Sequence, residues 1–340
     1  MGLFSFLTQE IAIDLGTANT LIIYNDQVVV DEPSIVAVDR LSNKMVAVGK
    51  KAMQMHEKTH ENLRTIRPLK DGVIADFEAA ENMIRGMIKM LSTGKKLITP
   101  SLKMVICIPS GITEVEKRAV RDSAEHAGGK EVYLIHEPMA AAIGIGIDVE
   151  EPIGNMIIDI GGGTTEIAVI ALSGIVCNQC IKIAGDVFTD DIIDYMRRQH
   201  NMLIGERTAE GIKINVGAAI SDLDEPPEDY PVNGRDLMTG IPKQILVSFE
   251  EIAHALDKSI SKIEEAVLRA LEITPPELAA DIYRTGLYLT GGGALLRGLD
   301  KRISNKTKLP VHIADDPLRA VVRGTGIALK NIGKFSFLMT

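Results

Sequence analysis

The chain has 340 residues, 46% of them hydrophobic and 24% charged, an ordinary globular balance, and at this length two domains are expected instead of one core. A net charge of −9 argues against general nucleic-acid binding, because neutralising phosphates needs a surplus of Lys and Arg, and it confines contact with an anionic membrane to local patches. No apolar run approaches the roughly 20 residues that cross a bilayer; the start MGLFSFLTQE lacks a basic region and a cleavage site, and three Cys fit a reducing compartment, so a cytoplasmic protein is expected.

The chain opens on Phe4-Ser5-Phe6-Leu7, a tetrapeptide that returns as Phe335-Ser336-Phe337-Leu338; together they hold four of the seven Phe. IAIDLGTANTLIIYN, residues 11–25, reads as two strands around a Gly-centred turn, a β-hairpin. HEKTH at 56–60 has the spacing of a zinc protease, but nothing downstream supplies a third ligand, and the stretch reads as a solvated helix. Helical periodicity runs over 76–91, and a strand follows over 103–110. Thr113 with Glu116 forms a capping box for a helix that stops near Gly128. Strand EVYLIHEP and the small-residue helix PMAAAIGIGI come next.

MIIDIGGGTTEIAVIAL, residues 156–172, then repeats the first hairpin, with Asp14 aligned on Asp159, Gly16 on Gly161 and Thr20 on Thr165. A hairpin repeated about 145 residues apart marks two related domains facing each other. Cys177 and Cys180 sit in an apolar strand-like run; three apart on a strand they point to opposite faces, which suits neither disulfide nor chelate, and they read as core cysteines. Helices are expected at FTDDIIDYMRRQHN, ERTAEGIKINVG, SFEEIAHALDKSISKIEEAVLRALEI and TPPELAADIYR, and residues 222–236 read as an exposed acidic connection. LYLTGGGALLRGLDKRI is a strand running into a helix. Strands alternate with helices throughout, so the class is α/β.

Three Gly-rich turns follow strands: DLGTANT, DIGGGTT and TGGGALL. Glycine lets backbone N–H groups approach phosphate oxygens with no Cβ in the way, and Thr17, Thr20, Thr164 and Thr165 add hydroxyls. Asp14 and Asp159, each ending a hairpin's first strand, can hold a hydrated Mg²⁺. The turn Gly291–Gly293 suits the α-phosphate or the ribose and base. One such turn is weak evidence; three, two of them duplicated, are strong.

In this order and spacing the turns resemble the phosphate 1, phosphate 2 and adenosine motifs of the actin, heat-shock chaperone and sugar-kinase superfamily. IDLGTANTLI, EPSIVAV, RPLKDGVIADFEAAENMI, CIPSGITEVEKRAV, HEPMAAAIG, IGERTAEGIK and LTGGGALLRGLD are similar to the MreB family of bacterial actins, over residues 10 to 330. The resemblance implies an actin-like fold of two related, ribonuclease-H-like domains around a central nucleotide cleft. Domain I would span 1–143 and 315–340, with a small subdomain near 32–65, and domain II 144–314, with one near 185–248. ATP and Mg²⁺ would be the cofactors. Asp14 and Asp159 would hold the metal, largely through water; Thr17, Ala18, Asn19 and Thr20 would form the first phosphate turn, and Gly161, Gly162, Gly163, Thr164 and Thr165 the second. Glu137 would position the attacking water with Thr164 as partner, Glu210 and Lys213 would hold ribose and adenine, and Gly291, Gly292, Gly293 and Ala294 would line the base. By spacing alone Glu210 and Lys213 are a surface ion pair, so their role rests on the family match.

A chaperone on this fold needs an added β substrate domain, and the adenosine motif already lies near the end of the chain. A sugar kinase needs a catalytic Asp facing a hydroxyl substrate. With those set aside, the resemblance implies a slow ATPase that polymerises with itself, in paired protofilaments, on the inner membrane surface, alongside membrane proteins of cell-wall elongation; the alternative is a sugar kinase. For membrane contact, Leu97 and Ile98 between Lys95 and Lys96 and the following segment suit an anionic interface. In the actin fold both chain ends belong to the first domain, so Phe4, Phe6, Phe335 and Phe337 are expected to form one composite aromatic patch beside them.

Overall fold

A computed structural model describes residues 8–91 and 101–339, and the structural statements below concern those residues. Phe4, Phe6, Leu97 and Ile98 lie outside them. The chain forms two compact units, one of residues 1–152, 170–176 and 318–340, the other of 153–169 and 177–317. The crossover comes at 152/153, later than the 143/144 drawn from the sequence, because the intervening loop is tied to the first unit. Ser173 N donates to Val149 O at 2.6 Å, Leu172 N to Glu151 O at 3.0 Å, and Lys334 pairs with Glu150 at 2.8 Å.

The first unit is built on a sheet of strands Gly129–His136, Ser101–Ile108, Thr8–Leu15, Asn19–Tyr24 and Gln27–Pro33, in that spatial order. Thr8–Leu15 runs antiparallel to Asn19–Tyr24 and parallel to Ser101–Ile108. As the middle strand it is covered on both faces, which is why Ile11, Ala12 and Ile13 form an unbroken buried run. Met83, Met87, Met104 and Ile106 join Ile11, Ile13 and Ile22 in its core. Helix Phe77–Met90 starts where the Asp76 side chain accepts from Ala79 N at 3.0 Å. Helix Glu114–His126 carries the expected capping box: Thr113 N donates to Glu116 Oε2 at 2.7 Å and Glu116 N to Thr113 Oγ1 at 3.3 Å. Helix Glu137–Gly144 lies backbone to backbone against helix Ala320–Lys330: a Cβ on Gly324 would stand 1.7 Å from Ala140 O, and one on Gly144 1.8 Å from Ala320 O. The small residues of PMAAAIG thus allow contact at main-chain distance.

The second unit repeats the plan. Its sheet runs Gly174–Ile181, Thr165–Ala171, Asn155–Ile160, Leu287–Thr290, Val311–Ile313, again three hairpin-connected strands followed by two parallel ones. Its core gathers Ile158, Ile160, Phe188, Ile192, Ile260 and Leu289 under helices Gly185–His200 and Phe249–Glu272, the latter capped by Ser248 and Glu251. Each unit also carries a three-stranded sheet, Met45–Val48, Val36–Asp39 and Leu63–Ile66 in the first, Met202–Leu203, Tyr230–Asp236 and Pro242–Val247 in the second.

Four sequence expectations are corrected. Tyr230–Asp236, expected to be loop, is a strand; Met202–Leu203 pairs only with Arg235 and Asp236, so Pro231 needs to donate nothing on that side. HEKTH is not helical, since the helix ends at Met55 and Glu57 takes φ 59°. Cys177 is half-buried, its thiol against Thr274 Oγ1 at 3.4 Å, but Cys180 is exposed and no core cysteine, as alternation along the strand demands.

The fourth concerns the composite patch. Phe335 is 9% exposed and stacks on Phe337 with ring centroids 4.9 Å apart. Met339 then pairs antiparallel with Leu134 on the edge strand, N–H to carbonyl at 2.8 and 3.0 Å. Antiparallel pairing sends the residues before Met339 toward the carboxyl end of that strand. Thr8 and Ser101 are paired at the other end of the sheet, five positions before Ile13 and Ile106, the register neighbours of Leu134. At the usual strand rise that is about 17 Å. Within the second tetrapeptide Phe335 is packed inward, Phe337 and Leu338 are half-buried and Ser336 is exposed.

Candidate functional site

In the first unit Asp14 ends its strand beside Cys107, its parallel register partner, whose Sγ donates to Asp14 Oδ1 at 3.1 Å. Burial pushes the Asp14 carboxyl from its ordinary 3.8 up to about 6, the thiol's hydrogen bond pulling it part of the way back. Burial, then Asp14, then Glu137 raise the Cys107 thiol well above its usual range. Glu137 opens helix Glu137–Gly144 directly after strand Gly129–His136, the favourable end of a helix for an acid. In the turn, Thr17 Oγ1 accepts from Gly72 N at 3.0 Å. Ser34 closes it, donating from Oγ to Gly16 O at 2.6 Å and from N to Ala18 O at 2.9 Å, while its Oγ meets Thr20 Oγ1 at 2.9 Å. Asn19 stays exposed.

In the second unit Asp159, 4% exposed, accepts from Thr290 Oγ1 at 2.9 Å. The turn that follows is locked to the start of helix Gly185–His200: Gly185 N donates to Gly161 O at 3.1 Å and Asp186 N to Gly162 O at 2.8 Å. Gly161 N donates to Thr164 O at 2.9 Å. Gly163 and Thr164 are buried, and Gly161 and Gly162 remain accessible. Gly291 takes φ +77°, and a Cβ there would lie 2.4 Å from Ile160 O and 2.6 Å from Asp159 Oδ1, so the third turn rests directly on the second. It leads into a short 3₁₀ turn, Gly292–Leu295, with Gly292 exposed and Ala294 buried; the helix proper begins only at Leu299. Lys213, its side chain 15% exposed, pairs with Glu210 at 2.7 Å and donates to Gly185 O at 2.8 Å and Thr189 Oγ1 at 3.0 Å. It is no loose surface pair. The Lys213 ammonium is built into the base of the second turn.

Within each unit the residues singled out in the sequence come together around the end of the first hairpin strand. One detail differs from expectation. Thr20 and Thr165 are fully buried, and Thr165 Oγ1 donates to Ile183 O at 2.6 Å, so these hydroxyls lock turns instead of adding outward donors. Ser34, Cys107, Gly185, Thr189 and Thr290 were not foreseen. Thr290, directly ahead of the third Gly run, had a legible signal; the others reach the site through sheet register or helix packing. Among the described residues no cluster of His, Cys, Asp and Glu could by itself hold a metal ion, and no helix is long and apolar enough to cross a membrane.

Two copies of one hairpin-plus-parallel-strand sheet, each with a carboxylate and a glycine turn at the same place, define the actin-like fold. The sequence profile of the MreB/Mbl protein family matches residues 8–336. The chain belongs to the MreB/Mbl family. It is 47% identical to the cell shape-determining protein Mbl of Bacillus subtilis over 327 residues, 96% of this chain and 97% of that protein. With the cell shape-determining protein MreB of Escherichia coli the identity is 48% over 336 residues, covering 97% and 95%. Among solved structures, MreB 5 of Spiroplasma citri bound to AMPPNP superposes with a TM-score of 0.90 at 41% identity, over 96% of this chain and 97% of that one.

Proposed function

We propose that the chain is an ATP-dependent polymerising cytoskeletal protein that assembles on the inner face of the membrane, organises cell-wall synthesis there, and hydrolyses ATP slowly as it turns over. The observation that carries this reading is the duplicated turn, in each unit a carboxylate held by a neighbouring donor (Asp14 by Cys107, Asp159 by Thr290) beside a glycine-bearing loop. The AMPPNP bound to the Spiroplasma relative supports it. Hard carboxylate oxygens suit Mg²⁺ held largely through water, and Asp14 and Asp159 are the residues that would hold it. Bound there, the ion would supply charge neutralisation for the transferring phosphoryl group. Gly161–Thr165 and Thr17–Thr20 cradle phosphate, Glu210, Lys213 and Gly291–Ala294 hold the nucleoside, and Glu137 with Thr164 orients the attacking water.

For the membrane, Thr8 and Ser101 are register partners, and in the chain Phe4 and Phe6 shortly precede the first while Leu97 and Ile98 shortly precede the second. Membrane contact is assigned to those four residues and withdrawn from Phe335 and Phe337. Sedimentation with Mg·ATP, with and without anionic liposomes, tests the whole reading. Polymer should pellet and should bind the liposomes, and removal of residues 1–7 should weaken lipid binding while sparing assembly. Absence of polymer, or phosphoryl transfer to a hexose in place of phosphate release, would overturn the reading in favour of a kinase.

A pH dependence follows from Asp14. Its carboxyl is raised in the folded state, so between 3.8 and about 6 the native protein holds a proton that the unfolded chain has released. Without cation, stability therefore falls as pH rises through that window, by about 3 kcal/mol at most, and stays lower above it. Asp14→Asn should raise the melting temperature of the nucleotide-free protein at pH 7.5, and the gain should vanish near pH 4. Adding Mg·ATP should stabilise the wild type and not the variant. A variant that melts below wild type at pH 7.5 without nucleotide would refute the assignment.

A further inference from the structure

Cys107 lies in the middle of the first unit's sheet, in parallel register with Asp14 on one side and with Ile135, just short of Glu137, on the other. It is 2% exposed, so it is reached by neither solvent nor partners, and its role is internal. Its Sγ stands 3.1 Å from Asp14 Oδ1. At neutral pH a thiol is protonated and the carboxylate beside it can only accept, so the direction of this hydrogen bond is settled: Cys107 donates. The alternative neighbours on strand Ser101–Ile108 are aliphatic (Val105, Ile106, Ile108), and none could hold the carboxylate. In the second unit the equivalent carboxylate, Asp159, receives the same service from Thr290, which occupies the corresponding parallel strand and is the Cα register partner of Asp159. Thus in both halves of the duplicated fold the residue directly across the parallel ladder from the strand-end Asp donates a hydrogen bond to its Oδ1. One half uses a hydroxyl and the other a thiol.

From this pair of contacts we propose that Cys107 is a positioning residue of the nucleotide site: through its S–H it fixes the rotamer in which Asp14 meets the hydrated cation, as Thr290 does for Asp159. The inference rests on the nucleotide reading above. A buried donor to a charged acceptor has an effect well beyond packing, because without it the carboxylate must find its orientation anew each time the cation binds. The thiol acts through Asp14 and takes no part in the chemistry itself.

The test compares Cys107→Val, which fills the space and removes the donor, with Cys107→Ser, which keeps a donor, and Cys107→Ala. Three quantities are read against Mg²⁺ concentration at fixed ATP: the thermal shift, the binding of a fluorescent ATP analogue, and the rate of phosphate release. In the valine and alanine variants the Mg²⁺ needed for half-maximal thermal shift should rise about threefold to tenfold, while serine stays within about twofold of wild type. The melting temperature without nucleotide reports packing separately, so a destabilised alanine variant does not obscure the result. If valine matches wild type in its Mg²⁺ dependence, or serine shifts as far as valine, the positioning role is overturned and Cys107 only fills space. If the wild type itself binds no Mg·ATP, the nucleotide reading falls and this one with it, an outcome distinct from the first two.

Discussion

With Glu137 replaced by alanine, Mg·ATP binding and ATP-dependent sedimentation should persist while phosphate release falls about a hundredfold. Glu137 is the first residue of helix Glu137–Gly144, on the heels of a strand that ends in the same sheet as Asp14, and is partly exposed where that strand stops. Holding a water in line needs an acceptor in a fixed place more than a strong base, since much of the gain is orientation already made before the reaction. Glu137→Gln, which keeps one acceptor oxygen, should accordingly lose less than Glu137→Ala. Phosphate release under single-turnover conditions is the measurement, with pelleting in parallel. An alanine variant that hydrolyses at the wild-type rate would remove Glu137 from the mechanism, and one that no longer binds nucleotide would give it a different role.

The second large effect concerns the helix that carries Glu137. Gly324→Ala should destabilise the protein by about 3 kcal/mol or more, because the new methyl has nowhere to go. Its Cβ would sit 1.7 Å from Ala140 O and 2.9 Å from Gly144 N, main-chain atoms that no rotamer change can move aside. Helices Glu137–Gly144 and Ala320–Lys330 would have to separate, and Glu137 would shift with the first of them. Gly326→Ala, in the same helix, is the control. Its Cβ would meet only the side chain of Ile23, nearest at 3.2 Å, and alanine gains about 1 kcal/mol of helix propensity over glycine. Urea or thermal unfolding should therefore place the two variants on opposite sides of wild type, or nearly so. Equal melting of Gly324→Ala and wild type would mean that this helix contact is looser than its geometry implies. Any Gly324→Ala protein that does fold should also release phosphate more slowly.

Much of the architecture was legible because it is written in local periods. Runs such as IAIDL and NMIIDI read as covered strands, the capping box at Thr113 begins a helix where hydroxyl and carboxylate sit three apart, and the likeness of residues 11–25 to 156–172 announced a duplication that the two sheets display in strand order. The glycine turns at Gly161 and Gly291 were visible for the same reason: a strand, an Asp or Thr, and residues without side chains are contiguous in the chain.

What local pattern could not reach are neighbours across the sheet and between helices. Cys107 meets Asp14 because of a parallel register between strands far apart in sequence, and nothing in MVICIPS marks that cysteine over any other apolar position. Whether Thr20 and Thr165 point outward or inward, whether Lys213 is a surface cation or the tie holding Gly185, and whether the second FSFL segment is a tag or packing were all open in the sequence. So was the strand hidden in YPVNGRD, whose Pro and Gly read as loop until a partner strand pairs with it. Sequence by itself determined most of the elements, the duplication and the family, since these depend on spacing along the chain. The orientation of each polar group at the site was decided only by tertiary structure, since a buried donor or acceptor takes whichever partner the fold brings within about 3 Å.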